Sequence, residues 1–540
     1  MFTILAMLLA AFATTAAAAR PRQAASGQLI IGAEQEPDCM DWIGSCSGSS
    51  WGYWMAQVGT MPRTYDTVKT KSGWTWKRNS LLASEPTLVT SPAQKVTYTI
   101  NPKAVWSDGQ PITSTDFKYT WDQVANGSDV YDQTGYKEVA SVDDSDPHVA
   151  VVTFKNRFGA WKQLFSGNYG VWPSHLLQGK DRDALTKDGY TWSGGPWKIE
   201  SWKKGDSITL VPNTAFWGTK PRIGKIIFKF VADSSAEFQA YKGGEVSMIY
   251  PQPQPDVVDA IKAGGIPGNK VFTSDTGSVE AFWINNSVAP FDNANVRRAL
   301  AFSINRVALV KRLFGPLGVK QPQNSMNPPI LSAYANPAFK RYSLNLKKAS
   351  VLMLAAGYRK SGGVWAKGGK PVEFTLKTTV GNARRKLTTE IVAAQLKAAG
   401  FKANLVYVKA GDLFGQQLPA GDFTIALYAQ VNTIPEPSLC TIFCSANIPG
   451  PANDNSGQNW THTDVRGLDT PLGVVDASLN NNLRIKSSKA ADGLIAASVT
   501  TLPLDPLPNI LFWSTKLSGS IGDNPVLGPF WNANTWTLKS

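Results

Sequence analysis

A chain of 540 residues is too long for one hydrophobic core of ordinary size, so two or three packed units are expected. Hydrophobic residues at 43% exclude wholesale disorder, and charged residues at only 17% imply a surface that is largely neutral polar. Lys plus Arg outnumber Asp plus Glu by 54 to 40, a net charge of +14. The excess is scattered, its densest cluster being Arg384, Arg385 and Lys386, so a basic exported protein is expected and a nucleic-acid partner is not.

Residues 2–19 carry no charge, and Ala17-Ala18-Ala19 before Arg20 has the small-x-small form of a signal-peptidase site. Residues 1–19 are therefore expected to be a signal peptide. The positive n-region is missing, and a retained anchor is the alternative, although its alanine-rich half makes a weak membrane span. No cysteine follows the apolar stretch closely, so no lipid anchor is marked. The expected location is the periplasm or cell-wall space, at the outer face of the cytoplasmic membrane.

Gln28–Gly32 reads as an apolar strand entering a loop, 33–51, rich in Gly, Ser and Cys. The four cysteines form two close pairs, Cys39 with Cys46 and Cys440 with Cys444, which in an exported chain read as two loop staples. Three connectivities are possible. A four-cysteine zinc site would want tighter knuckles than the six residues between Cys39 and Cys46. Lys95–Asn101 alternates as a strand with one wet face, and after the Asp108-Gly109 turn Thr113 or Ser114 caps a helix reaching about Val124.

A second block holds strands at Trp197–Lys203, Ser207–Pro212 and Lys225–Val231, then a helix over Ser234–Gly243 with Ala236, Ala240 and Tyr241 on one face. A third opens with strand Val279–Asn285 and one long helix, Asn293–Phe314, with Val296, Leu300, Ile304, Val307 and Leu313 at helical spacing. Helices Lys347–Ala356 and Ala383–Ala399 each end at glycine, and strands Val372–Thr379 and Lys402–Val408 flank the second as a parallel unit. The expected class is α/β with mixed sheets.

Chemistry is sparse. No phosphate-binding glycine loop is present, and Gly44-Ser45-Cys46-Ser47-Gly48 mimics a nucleophile elbow only in outline, with a disulfide candidate where the nucleophile would stand. His148, His175 and His462 lack metal-ligand spacing, so no catalytic residue, metal or cofactor is expected. A hydrolase with spatially assembled carboxylates is the alternative from another class. Aromatic residues stand out instead, several in loops: Trp42, Trp51, Trp54, Trp74, Trp76, Trp192 and Trp460. Part of this set fits core filling and the rest fits cover for an amphipathic ligand.

Five segments, in order, resemble one family. Val105-Trp106-Ser107-Asp108-Gly109-Gln110-Pro111-Ile112-Thr113 with Asp116-Phe117 is similar to a signature of the family 5 extracellular solute-binding proteins, the oligopeptide- and dipeptide-binding components of ABC importers. Gly195-Pro196-Trp197 through Asn213, Phe216 and Trp217 follows, then Pro290-Phe291-Asp292 with Val296-Arg297-Arg298-Ala299-Leu300. Ala355-Ala356-Gly357-Tyr358 and Gly381-Asn382-Ala383-Arg384, with Gln395-Leu396 through Ala399-Gly400, complete the set. The resemblance implies a two-lobe periplasmic-binding-protein-like clamp with mixed sheets. It assigns residues 29–50, 191–273 and 501–540 to lobe 1, 51–190 to an added domain packed on it and 274–500 to lobe 2, with a hinge near Ser274 and Thr501. It further implies a monomer without enzymatic turnover that passes a peptide-like or other small amphipathic solute to membrane permease subunits.

One departure bears on the ligand. The family's peptide binders carry a Trp-x-x-Asp stretch whose aspartate pairs with the peptide α-ammonium, a bond worth roughly 1.5–3 kcal/mol. Here Tyr428-Ala429-Gln430-Val431-Asn432 has Val431 at the acid's place. A blocked, modified or non-peptide ligand such as an oligosaccharide is implied unless Glu436 or Glu34 substitutes. Because ligands of α/β proteins sit beyond strand ends, the expected wall residues are Glu34, Gln35 and Glu36, then Phe282, Trp283 and Asn285, then Tyr428, Gln430 and Asn432.

Overall fold

The computed structural model describes residues 25–539 except 72, 168, 276 and 454; the expected signal peptide lies outside the described residues. The chain builds two large mixed sheets. A seven-stranded sheet runs in the order Asn269–Ser274, Asn509–Ser514, Met248–Ile249, Ser26–Ala33, Ile223–Phe230, Ser207–Pro212, Trp197–Lys203. Ser26–Ala33 pairs in parallel with both of its neighbours, and the outer pairs are antiparallel. A five-stranded sheet runs Lys402–Val408, Glu373–Thr379, Ile425–Val431, Ser278–Ile284, Thr501–Asp505. Its first two pairings are parallel, as the strand–helix–strand pattern around Ala383–Ala399 implies.

Each sheet has its own apolar core. The larger core joins the seven-stranded sheet to a four-stranded antiparallel sheet within Thr87–Phe154. The second core surrounds the five-stranded sheet and the helices packed on it. The chain passes between the large sheets from Ser274 to Ser278 and again from Asp505 to Asn509. Thr501–Asp505, expected in lobe 1, pairs with Ser278–Ile284, so the second passage comes after Asp505.

The family-like segments prove to be braces. The Trp106 indole N–H donates to Asp116 Oδ2 at 3.1 Å, Asp116 and Thr113 form a reciprocal cap on helix Ser114–Ala125, and Asp116 Oδ1 takes both the N–H and hydroxyl of Ser174. Asn213 Nδ2 donates to the Gly195 carbonyl, and buried Arg297 donates to the carbonyls of Ser498 and Phe291.

Two helical expectations are corrected. The Asn293–Phe314 helix is two helices, Ala294–Phe302 and Arg306–Phe314. Between them Ser303 Oγ bonds back to the Ala299 carbonyl and the Asn305 side chain caps Ala308 N–H, local bonds that compete with a continuous helical ladder. Helix Ser234–Lys242 buries Glu237, Phe238 and Tyr241, while Ala236 stays exposed. The phenyl ring of Phe238 sets the inward face by packing on Phe512, their centroids 5.8 Å apart.

Candidate functional site

A cavity of about 220 Å³ lies between the elements of the two large sheets. The loop after Ser26–Ala33 gives it Glu34 and Gln35, and the residues after Met248–Ile249 give Tyr250 and Gln252. The end of Ile425–Val431 gives Tyr428, Gln430, Val431 and then Asn432, while the second passage gives Leu507, Pro508 and Asn509. Strand ends and the passages between sheets thus line the cavity, as a cleft in an α/β protein requires.

The carboxyl of Glu34 marks the floor. Its Oε1 accepts the Gln252 backbone N–H at 3.1 Å. Burial pushes this carboxyl up to about 7 against the pull of Arg385 and Arg384. Behind it Glu237 is fully buried, with no hydrogen-bond partner for either carboxylate oxygen among the described residues, and burial and the Glu34 charge both raise it.

The two arginines are committed elsewhere. Arg385 Nε and Nη2 reach the two carboxylate oxygens of Glu280 at 2.8 and 3.2 Å, and its Nη1 reaches Thr379 Oγ1 at 3.1 Å. Arg384 adds two contacts of 3.1 Å to Glu280 Oε1. Burial opposes ionisation of Glu280, but the guanidiniums outweigh it and hold its carboxyl below the usual range. The densest basic cluster of the sequence is therefore largely interior: Arg384 and Arg385 are buried and tie helix Ala383–Ala399 to strand Ser278–Ile284.

Aromatic rings form the walls. On one side Trp51, Trp54 and Tyr250 meet edge to face, with centroid separations of 6.0, 6.2 and 5.5 Å. On the other, Tyr428 meets Phe414 edge-on at 5.5 Å and Trp460 at 6.2 Å. At the far end Asp132 Oδ2 accepts the Thr441 hydroxyl at 3.1 Å, which bridges the two sides of the cavity. Burial raises the Asp132 carboxyl.

Both disulfides flank this space. Cys39–Cys46 spans a Cα separation of 5.9 Å beside Ser47 and Gly48, which line the cavity. Cys440–Cys444, at 4.6 Å, encloses Thr441. All four cysteines are thereby paired, and Cys46 is not a free thiol.

Of the nine expected wall residues, Glu34, Gln35, Tyr428, Gln430 and Asn432 line the cavity. Glu36 instead accepts from Trp202 Nε1 at 2.8 Å and the Gly205 N–H at 3.0 Å, and it lines a second recess of about 570 Å³ that shares Glu34, Trp51 and Arg385 with the first. Phe282, Trp283 and Asn285 are corrected: all three are at most 1% exposed. Trp283 lies behind Tyr428, and Asn285 Nδ2 is spent on the carbonyls of Gly421 and Phe423. Tyr131, Asp132, Tyr169, Tyr250, Gln252 and Arg385 were missed, because only the fold brings these distant segments to one space. Of the tryptophans expected in loops, Trp42, Trp51, Trp54 and Trp460 line the cavity; Trp51 and Trp54 stand in short helical turns and Trp74 and Trp76 in strand Gly73–Arg78, so those four are not loop residues.

A sequence model of the bacterial extracellular solute-binding proteins, family 5 middle, matches residues 78–447. The chain belongs to this family, whose members bind solutes outside the cell. It is 26% identical over 427 residues to a Brucella ovis protein named as an ABC transporter peptide-binding protein, covering 76% of this chain and 72% of that one. It is 27% identical over 363 residues to the oligopeptide-binding protein OppA of Lactococcus lactis, covering 59% of each. Its fold matches the oligopeptide-binding protein AppA of Bacillus subtilis, solved with a nonapeptide, at a TM-score of 0.85 and 20% identity over 96% of this chain and 100% of that one. A periplasmic EDTA-binding protein, EppA, matches at 0.82 and 23% identity over 96% and 97%. The architecture is that of the two-lobe periplasmic binding proteins. Among the described residues no helix is long and apolar enough to cross a membrane.

Proposed function

We propose that this protein captures an oligopeptide or similar small amphipathic solute between its two large sheets and delivers it, unaltered, to the permease of an ABC importer. The observation that carries this reading is the cavity itself. Aromatic walls from both sides surround amide and carboxyl groups at strand ends, which suits an extended backbone bearing apolar side groups. The peptide-binding names of its relatives support the solute class.

The units act as two jaws, the 51–190 segment riding on the first, with the Ser274–Ser278 and Asp505–Asn509 passages as the hinge. Release into the periplasm or cell-wall space follows from the family's place outside the cell. A non-peptide solute on the same scaffold is the second reading, favoured by Val431 and by the match to an EDTA-binding protein. Mass spectrometry of small molecules released from natively purified protein tests the proposal. A bound peptide supports it, a bound non-peptide shifts it to the second reading, and turnover of the released compound by the purified protein contradicts it.

A further inference from the structure

Val431 leaves the Ile425–Val431 strand without a carboxylate facing the cavity, and Glu436, the nearest acid that follows, is committed to Arg484 Nη1 at 3.2 Å. Among the described residues, the acidic and basic side chains that line the cavity are Glu34, Asp132 and Arg385. Arg385 shares Glu280 with Arg384, and Asp505 lies in the field of both, so four carboxyls, Glu34, Glu237, Glu280 and Asp505, stand against two guanidiniums, in a chain whose net charge is +14. Acid also accumulates behind the floor. Glu237 stands against Glu34, and Asp505, buried, has no hydrogen-bond partner for either carboxylate oxygen among the described residues. Beside Glu34, Trp51, Trp54 and Tyr250 line the same cavity, and the face of an aromatic ring carries the negative quadrupole that attracts a desolvated cation.

Building on the proposed function, we infer that the solute carries a cationic group, an amine or guanidinium, which seats at Glu34 against the rings of Trp51, Trp54 and Tyr250. The anchor that the family resemblance puts at the position of Val431 is thereby moved to the Glu34 side of the cavity. An ionised Glu34 in the empty cavity has a carboxyl neighbour behind it and a buried site around it, which favours its protonated form. A cation entering the site displaces that proton. Binding is therefore linked to pH through Glu34, which faces Glu237 on helix Ser234–Lys242, Arg384 and Arg385 on helix Ala383–Ala399, and Tyr250.

Ligand-stripped full chain is mixed with two peptide pools that are acetylated and amidated at their ends. One is built from Ala, Leu, Phe, Tyr, Ser and Gln, and the other adds Lys and Arg; retained peptides are read by mass spectrometry after gel filtration. Enrichment of cationic over neutral peptides on the order of tenfold or more is expected, with loss of that preference in Glu34→Gln. Affinity of wild type for the cationic pool should also rise from about pH 5 to about pH 8 as Glu34 ionises. Equal retention of both pools, an unchanged preference in Glu34→Gln, or a flat pH profile overturns the cationic seat and leaves the peptide reading standing. Retention of nothing from either pool overturns both.

Discussion

Trp283 and Tyr428 stack with centroids 5.0 Å and planes 15° apart, and the Trp283 indole N–H donates to the Tyr428 carbonyl at 2.9 Å. They stand on neighbouring antiparallel strands, where Trp283 pairs with Ala426 and Tyr428 with Ala281. Only Tyr428 reaches the cavity; Trp283 is the surface it rests on.

The two rings should therefore fail differently. Trp283→Ala opens a void in a closed core and should cost about 3–5 kcal/mol of stability in urea denaturation. Tyr428→Ala should weaken solute binding by on the order of 1–3 kcal/mol by calorimetry. Wild-type stability in Trp283→Ala would remove the distinction between wall and support.

Glu280 holds two buried guanidiniums, so Glu280→Ala strands both. A loss of about 3–5 kcal/mol is expected from equilibrium unfolding, larger than for Arg385→Met, which leaves Arg384 on the carboxylate. Equal losses in the two variants would contradict the shared pairing.

Burial pushes Asp38 and Asp476 up to about 7 and Asp492 and Asp523 to about 6, and raises Glu34 and Asp505. The folded state then binds more protons than the unfolded chain between about pH 4 and pH 7, and stability falls as pH rises through that window. Glu280 acts oppositely: held below its usual range, its contribution is present above about pH 4.5 and lost on acidification. Melting temperature should therefore be highest near about pH 4 to 5 and fall towards pH 8. A monotonic rise to pH 8 would show that these carboxyls ionise normally in the fold.

Much of the fold is readable in the chain because local chemistry decides it. Strands Trp197–Lys203, Ser207–Pro212 and Lys402–Val408 fall where alternation and turn residues place them, and helix Ala383–Ala399 stops where Gly400 takes a φ of 96°. The site is less readable. Strand Ser278–Ile284 is buried from Val279 onward, so its sequence cannot tell a cavity face from a core face, and Trp283 is mistaken for a wall. Glu34 follows directly from its strand, whereas Asp132 and Arg385 reach the same cavity from segments some 250 residues apart, which no local pattern encodes.

The disulfides close short loops, for which the chain-entropy relation gives about 2 kcal/mol each. Cys440→Ser with Cys444→Ser should lower stability by no more than that and raise amide exchange around Thr441 in preference to the sheets. Peptide mapping without reduction should recover both cross-links; four free thiols in exported protein would refute the pairing.

The central claim is a clamp whose two jaws close on a solute. Small-angle X-ray scattering of natively purified protein, before and after ligand stripping by denaturation and refolding, tests it most directly. The stripped protein should have the larger radius of gyration and should return to the smaller value when the extracted small molecules are added back. One radius under all three conditions, with ligand exchange verified by mass spectrometry, would contradict the clamp.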